Sequence, residues 1–168
     1  MTTTSSSACA IQNFDCVASL ARFVGQPAIT SAPLLLDQKM IDQFAQVTHD
    51  HQWIHVDPAR AKTQSPYQHT IAHGFLVLSL LTYWQTSCIA FPGAVMALNY
   101  GFDKIRFTAP VMAGSRVSAG FALRQVTETR PAHARCTWEV AVQAEHAPRP
   151  SVYAEWHILV QYKDGQAR

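Results

Sequence analysis

The chain has 168 residues, enough for one well-buried core and short for two. Apolar residues make up 48% and charged residues 14%, with a formal net charge of +2 and no block of lysine and arginine. That balance suits a compact domain with part of its surface hidden in an oligomer contact, and it argues against a nucleic-acid groove or an anionic membrane patch. A few placed cations would still suffice for a phosphate-bearing small molecule.

The first ten residues are small and polar and read as a disordered tail. They lack both a basic stretch and a sustained apolar run, so no signal peptide is expected. The four cysteines, Cys9, Cys16, Cys88 and Cys136, show no short paired spacing, which speaks against a zinc site or a disulfide framework and for a reducing compartment. The apolar stretch over 75–81 is too short to span a bilayer. A cytoplasmic protein is expected.

From residue 11 to 24 an amphipathic pattern (Phe14, Val17, Leu20, Ala21, Val24) predicts a short helix stopped by Gly25. Residues 28–36 read as a strand broken near Pro33. Asp37 is a good helix N-cap, and Met40, Ile41, Phe44, Ala45 and Val47 follow at helical spacing up to about Thr48. Asp57-Pro58 starts another helix, with proline at its first position, and Ser65-Pro66 ends it.

After His73-Gly74 comes a segment with apolar residues all round, Phe75 to Trp84, expected to be a helix buried on most sides. At about 1.5 Å per residue it is roughly 20 Å long, the width of a medium-sized sheet. The period then changes to two. A strand is predicted over 94–107 with a bulge at Gly101. Alternation marks three more, through Val117–Leu123, Cys136–Ala144 and Val152–Tyr162. The linkers at Ala109-Pro110, Arg130-Pro131 and 146–150 are short enough for a meander. One buried helix and several long antiparallel strands imply an α+β domain in which a curved sheet wraps the helix, with residues 11–168 as a single domain.

Reactive groups are densest over 49–57, His-Asp-His-Gln-Trp-Ile-His-Val-Asp, in what reads as a loop after the capped helix. Asp50 and His55 can converge on one water if this connection curls. A carboxylate and an imidazole around one water can remove a proton from it and supply one elsewhere. Two other readings compete. Asp50 could cap a turn while His55 fills the core. His49, His51 and His55 could ligate a metal, although H-x-H-x-x-x-H lacks a nearby cysteine or the glutamate of a helical H-E-x-x-H pair.

Three ordered segments carry a resemblance: residues 44–57 around Asp50 and His55; Thr70-Ile71-Ala72-His73-Gly74-Phe75; and 98–107, Leu-Asn-Tyr-Gly-Phe-Asp-Lys-Ile-Arg-Phe. Together they resemble the MaoC-like dehydratases, the (R)-specific enoyl-CoA hydratase family, and especially the nodulation-protein-N-like branch, over roughly residues 11–163. The resemblance implies a hot-dog fold, a homodimer with sheets joined side by side, and no metal or organic cofactor. It implies reversible syn addition of water to a trans-2-enoyl thioester of coenzyme A or an acyl carrier protein, giving an (R)-3-hydroxyacyl thioester. Asp50 and His55 match the family's catalytic pair, and Gly74 the glycine whose backbone N–H polarises the thioester carbonyl.

His49, Trp53, His73 and Thr82 are further candidates for the substrate site. His49 stands where the family usually has glycine, Gln52-Trp53 where many members have Asn-Pro, and His69 where a glycine pair is common in the branch. Lys104, Arg106 and Arg116 read as solvated strand residues, with contact to coenzyme A phosphates as the alternative reading. A thioesterase on the same fold, which more often places a carboxylate on the central helix, and a catalytically silent acyl-binding protein are the alternatives.

Overall fold

The computed structural model describes residues 10–163, so the tail expected over 1–10 lies, apart from Ala10, outside the described residues. The first helix is shorter than its apolar pattern suggested. Gln12–Asn13 form a short strand, β1, and the helix α1 runs only over Val17–Phe23. Ser19 sets the boundary: its hydroxyl accepts from Cys16 N at 3.2 Å and donates to Cys16 O at 2.7 Å, closing the chain just before Val17. Gly25 follows the helix at φ 79°, the left-handed stop expected of it.

The strand expected over 28–36 is divided around Pro33 into β2 (Ile29–Thr30) and β3 (Leu34–Leu36). Asp37 caps α2 (Gln38–Thr48) by accepting from Met40 N at 2.9 Å. Ile41 and Ala45 are buried, but Val47, at 80% exposure, faces away from the core. A one-turn helix α3 (Trp53–Val56) precedes α4 (Pro58–Gln64), where Asp57 accepts from Arg60 N at 2.9 Å and Pro58 takes the first position.

The apolar segment after His73 is helical in two pieces, α5 (Gly74–Ser79) and α6 (Leu81–Cys88), which meet at Leu80. Leu76, Val77, Leu81, Trp84 and Cys88 face the sheet. The expectation of burial on most sides fails on the opposite face, where Phe75 is 69% and Tyr83 51% exposed. A single curved sheet can cover only one side of a helix, so the outer stripe remains open unless another chain covers it.

After a two-residue strand β4 (Ile89–Ala90), paired parallel with β1, the four long strands are β5 (Ala94–Phe107), β6 (Ser115–Arg130), β7 (His133–Ala144) and β8 (Val152–Tyr162). The alternation decides their faces: Val117, Phe121 and Leu123, then Cys136, Trp138 and Val140, then Trp156, Ile158 and Val160 all lie in one core. Register shifts between Asn99 and Gly101, where the bulge was expected.

The sheet order is β2-β6-β7-β8-β5, with β3 also on β6. Strands β6, β7 and β8 form the expected meander, but β5 pairs with β8 at the far edge and not with β6. The connection over 108–114 does not make a hairpin because its backbone bonds elsewhere. Val111 O accepts from Ala72 N at 2.7 Å, Ala113 N donates to Thr70 O at 2.9 Å, and Gly114 N donates to Leu36 O at 2.8 Å. The edge of β6 is thereby left to β2 and β3. Those bonds also fix the segment over 70–72, from which the site is hung. Among the described residues no helix is long and apolar enough to cross a membrane.

Candidate active site

The site begins where α2 ends. His49 adopts φ 59° and ψ 20°, the left-handed conformation for which glycine is the usual choice and which histidine tolerates better than most residues. The chain therefore turns at His49 along the path a glycine would allow. Asp50 follows at once; its side chain is 53% exposed, and its Oδ1 accepts from Gln52 N at 3.3 Å.

His55 lies on α3, so the segment read as a loop contains a turn of helix that its four-residue length concealed. Its ring is buried, and Nδ1 lies 2.7 Å from the Ile71 carbonyl. A carbonyl only accepts, so Nδ1 carries the proton and Nε2 keeps its lone pair. The backbone on both sides is tied down: Ile71 N donates to Ile54 O at 3.1 Å, and Gln38 Nε2 donates to His55 O at 2.8 Å. Thr70 donates its hydroxyl proton to Gln38 Oε1. Gln38 carried no sequence signal, being one polar residue in a helix, and Thr70 was marked only as the first residue of the segment over 70–75.

His73 closes the group. Its ring stacks on His55 with centroids 3.8 Å apart, and Phe44 of α2 packs at 5.1 Å from it. His73 Nε2 donates to the Asp50 carbonyl at 3.0 Å and lies 3.9 Å from Asp50 Oδ2. It thus anchors the aspartate's backbone to the residue before α5. Burial lowers the His55 pKa below its usual 6.5, helped by His73 and opposed by the Ile71 hydrogen bond and the Asp50 charge. A neutral imidazole with a free Nε2 results, a base ready for use.

Donor atoms of Asp50, His55 and His73 lie within 4.8 Å of one another, close enough to suggest a metal. The hydrogen bonds speak against it. His55 Nδ1 and His73 Nε2 are committed to carbonyls, and His73 Nδ1 is buried. Two free donors, Asp50 and His55 Nε2, fall short of the three protein ligands of a catalytic zinc.

Gly74 opens α5, and its backbone N–H has no earlier turn to bond. A Cβ at this position would lie 2.8 Å from the Phe107 ring, so glycine lets that ring sit against the start of α5. His55 and Gly74 line one cavity of about 360 Å³, walled by Val77, Val111 and Val152.

The remaining candidates are placed differently. His49 is exposed beside Asp50. Trp53 lies under the Arg60 guanidinium, 4.4 Å from the ring centre. Thr82 is exposed on α6 and faces a second, apolar cavity with Phe44, Phe75, Phe102 and Trp156. Lys104 is paired with Glu155, and Arg116 with Glu145 at 3.1 Å.

Residues 19–144 match the MaoC like domain. The chain belongs to the MaoC-like family. Nodulation protein N of Rhizobium meliloti is 41% identical to it over 147 residues, covering 87% of this chain and 91% of that protein. The 3-hydroxyacyl-thioester dehydratase Z of Mycobacterium tuberculosis is 39% identical over 152 residues, 90% and 99% of the two chains. Among solved structures, an unliganded (R)-hydratase from Pseudomonas aeruginosa matches with a TM-score of 0.65 at 26% identity, covering 88% of this chain and 86% of that one. The helix wrapped by a curved antiparallel sheet is the hot-dog fold of these MaoC-like proteins.

Proposed function

We propose that this MaoC-like protein is a hydro-lyase that adds water across a trans-2-enoyl thioester, reversibly, to give an (R)-3-hydroxyacyl thioester. The observation that carries the reading is the state of His55: neutral, with Nδ1 donating to Ile71 and Nε2 free, between Asp50 and the cavity that also holds Gly74. A water between Asp50 and His55 gives one hydrogen bond to the carboxylate, which orients it. His55 Nε2 takes its other proton as the oxygen attacks C3. The enolate oxygen is stabilised by the Gly74 N–H, and the imidazolium returns its proton to C2 on the same face. Both hydrogens and the oxygen of the water are accounted for, and the addition is syn.

Names among the relatives and solved structures, a 3-hydroxyacyl-thioester dehydratase and an (R)-hydratase, support this chemistry. Crotonyl-CoA hydration, followed by loss of enoyl absorbance and by the configuration of the 3-hydroxybutyryl product, tests it. If Asp50→Asn and His55→Gln hydrate as fast as the parent, these residues are not the site. Release of free thiol without loss of enoyl absorbance would favour a thioesterase.

The same reading includes a cytoplasmic homodimer. Strand β5 is the sheet edge and exposes Val95, Met96, Leu98 and Tyr100, an apolar border suited to pairing with a second copy. Light scattering on the purified chain tests the dimer.

A further inference from the structure

The cavity that holds His55 and Gly74 has a second polar end, built where β5 leaves the sheet and β8 enters it. The end of β5 is laced there to the segment entering β8, which is tied in turn to β7. Thr108 N donates to Ser151 O at 2.9 Å, Thr108 Oγ1 donates to Pro150 O at 2.7 Å, and Ser151 N donates to Val142 O at 2.7 Å. Arg149 stands on this rim and lines the cavity. His55 is buried and Arg149 exposed, so the cavity runs from a catalytic end inside to a cationic end at solvent. Val77, Val111 and Val152 are buried and close the inner wall, so a long substrate leaves on the exposed side, where Tyr67, Phe107, Pro110 and Arg149 stand.

Arg149 is the only permanently charged residue lining this cavity among the described residues. No carboxylate of the described residues pairs with it, whereas Arg116 and Arg124 are held by Glu145 and Glu139. Beside it, Ser151 Oγ is buried without a hydrogen-bond partner, a cost that an amide-bearing ligand could relieve.

We propose that Arg149 binds the phosphate of the phosphopantetheine arm that carries the acyl thioester, with Ser151 offered to the amides of that arm. This rests on the hydro-lyase reading. With the thioester carbonyl at the Gly74 N–H, the arm is the part of the substrate that must exit, and its phosphate ester is the anion that arrives at solvent. A guanidinium presents a planar fork of donors matched to phosphate oxygens. Coenzyme A and an acyl carrier protein present this same phosphate; Lys104 and Arg116 are held by carboxylates, and Arg106, exposed on β5, does not line this cavity.

Saturated thioesters bind without turnover and allow a direct test by calorimetry on the full chain. Arg149→Ala is expected to weaken butyryl-CoA and butyryl-phosphopantetheine about ten-fold while leaving butyryl-pantetheine, which lacks the phosphate, unchanged. Arg149→Lys should recover part of the loss. Ser151→Ala should weaken all three ligands alike. Butyryl-acyl carrier protein titrated in parallel identifies the carrier as the one whose affinity depends on Arg149.

Equal losses for all three ligands in Arg149→Ala, or no loss, would overturn the proposal. Failure of the underlying reading looks different: Arg149-dependent binding of butyryl-CoA by a protein that never hydrates crotonyl-CoA keeps the phosphate subsite and removes the hydratase. Hydration of crotonyl-CoA with an unchanged KM in Arg149→Ala does the reverse.

Discussion

Two groups of aspartate and histidine occur among the described residues, and the better hydrogen-bonded one is the poorer candidate for chemistry. On the sheet, Asp103 Oδ2 lies 3.0 Å from His157 Nε2, and His157 Nδ1 lies 3.1 Å from Thr137 Oγ1. Strands β5, β8 and β7 hold these three side chains in a row. In the other group the closest side-chain approach recorded between aspartate and histidine is 3.9 Å, from Asp50 Oδ2 to His73 Nε2. Both ring nitrogens of His157 are occupied, and Asp103 is 66% exposed; the row lines a cavity of its own, about 310 Å³, but every lining residue lies on a strand and no helix start opens onto it. His55 spends one nitrogen on a backbone carbonyl and keeps the other, in a buried position beside a cavity and a helix start. Saturated hydrogen bonding fixes a structure. His55 can take a proton directly from a bound water, whereas the Thr137 hydroxyl already stands where such a water would meet His157.

The largest effects expected from this difference are at Asp50 and His55. Asp50→Asn and His55→Gln should each lower kcat for crotonyl-CoA hydration by about 10²–10⁴-fold, the usual worth of a general acid–base group. Asp103→Asn and His157→Gln should leave kcat unchanged; the exposed Asp103 should alter stability by less than about 1 kcal/mol, and His157, 17% exposed and also bonded to Thr137, should cost more. A large loss of turnover in the sheet variants would invert the comparison. Gly74→Ala comes next, at about 10²-fold in kcat, because its Cβ meets the Phe107 ring and displaces the N–H from the thioester oxygen. Shortening the neighbour in a Gly74→Ala/Phe107→Leu double variant should restore part of that activity.

Acid should separate the groups further. With the His55 pKa below 6.5 in the folded protein, Nε2 stays unprotonated to lower pH than a free histidine, and the acid limb of kcat/KM should fall below pH 6.5. The same depression has a sign for stability. Between the folded pKa and 6.5 the unfolded chain binds more protons, so the His55 contribution is complete above 6.5, declines as pH falls toward the folded value, and then levels off. His55→Gln should flatten this slope in urea titrations run across that range.

The smallest effect is expected at His49. Glycine there would remove a left-handed penalty of about 1–2 kcal/mol but restore nearly as much unfolded-chain entropy, so His49→Gly should shift stability by about 1 kcal/mol or less. It should also keep turnover, since the backbone already follows the glycine path. A large gain of activity would instead mark His49 as a residue that had silenced the site.

Much of this was written in local patterns. Period-two alternation decided which faces of β6, β7 and β8 are buried, because a strand's side chains must alternate whatever lies around it. Asp37, Pro58 and Gly25 marked helix ends because capping depends on a few neighbouring atoms. Asp50, His55 and Gly74 were legible through their ordered motifs, which no single residue pattern supplied.

Other features were decided only by segments distant in sequence. The pairing of β5 with β8 follows from bonds that tie 108–114 to 70–72 and to Leu36. The open stripe of α5 and α6 depends on how far one sheet can wrap. The orientation of His55 rests on a carbonyl sixteen residues away, and its environment on a stacked His73. Arg149 had no signal at all, being one cation in a polar linker until folding set it on the rim of the cavity. Sequence determined what each segment prefers to be, since those preferences are local. Tertiary structure decided which nitrogen is free and which charge meets the substrate, because those are matters of neighbours.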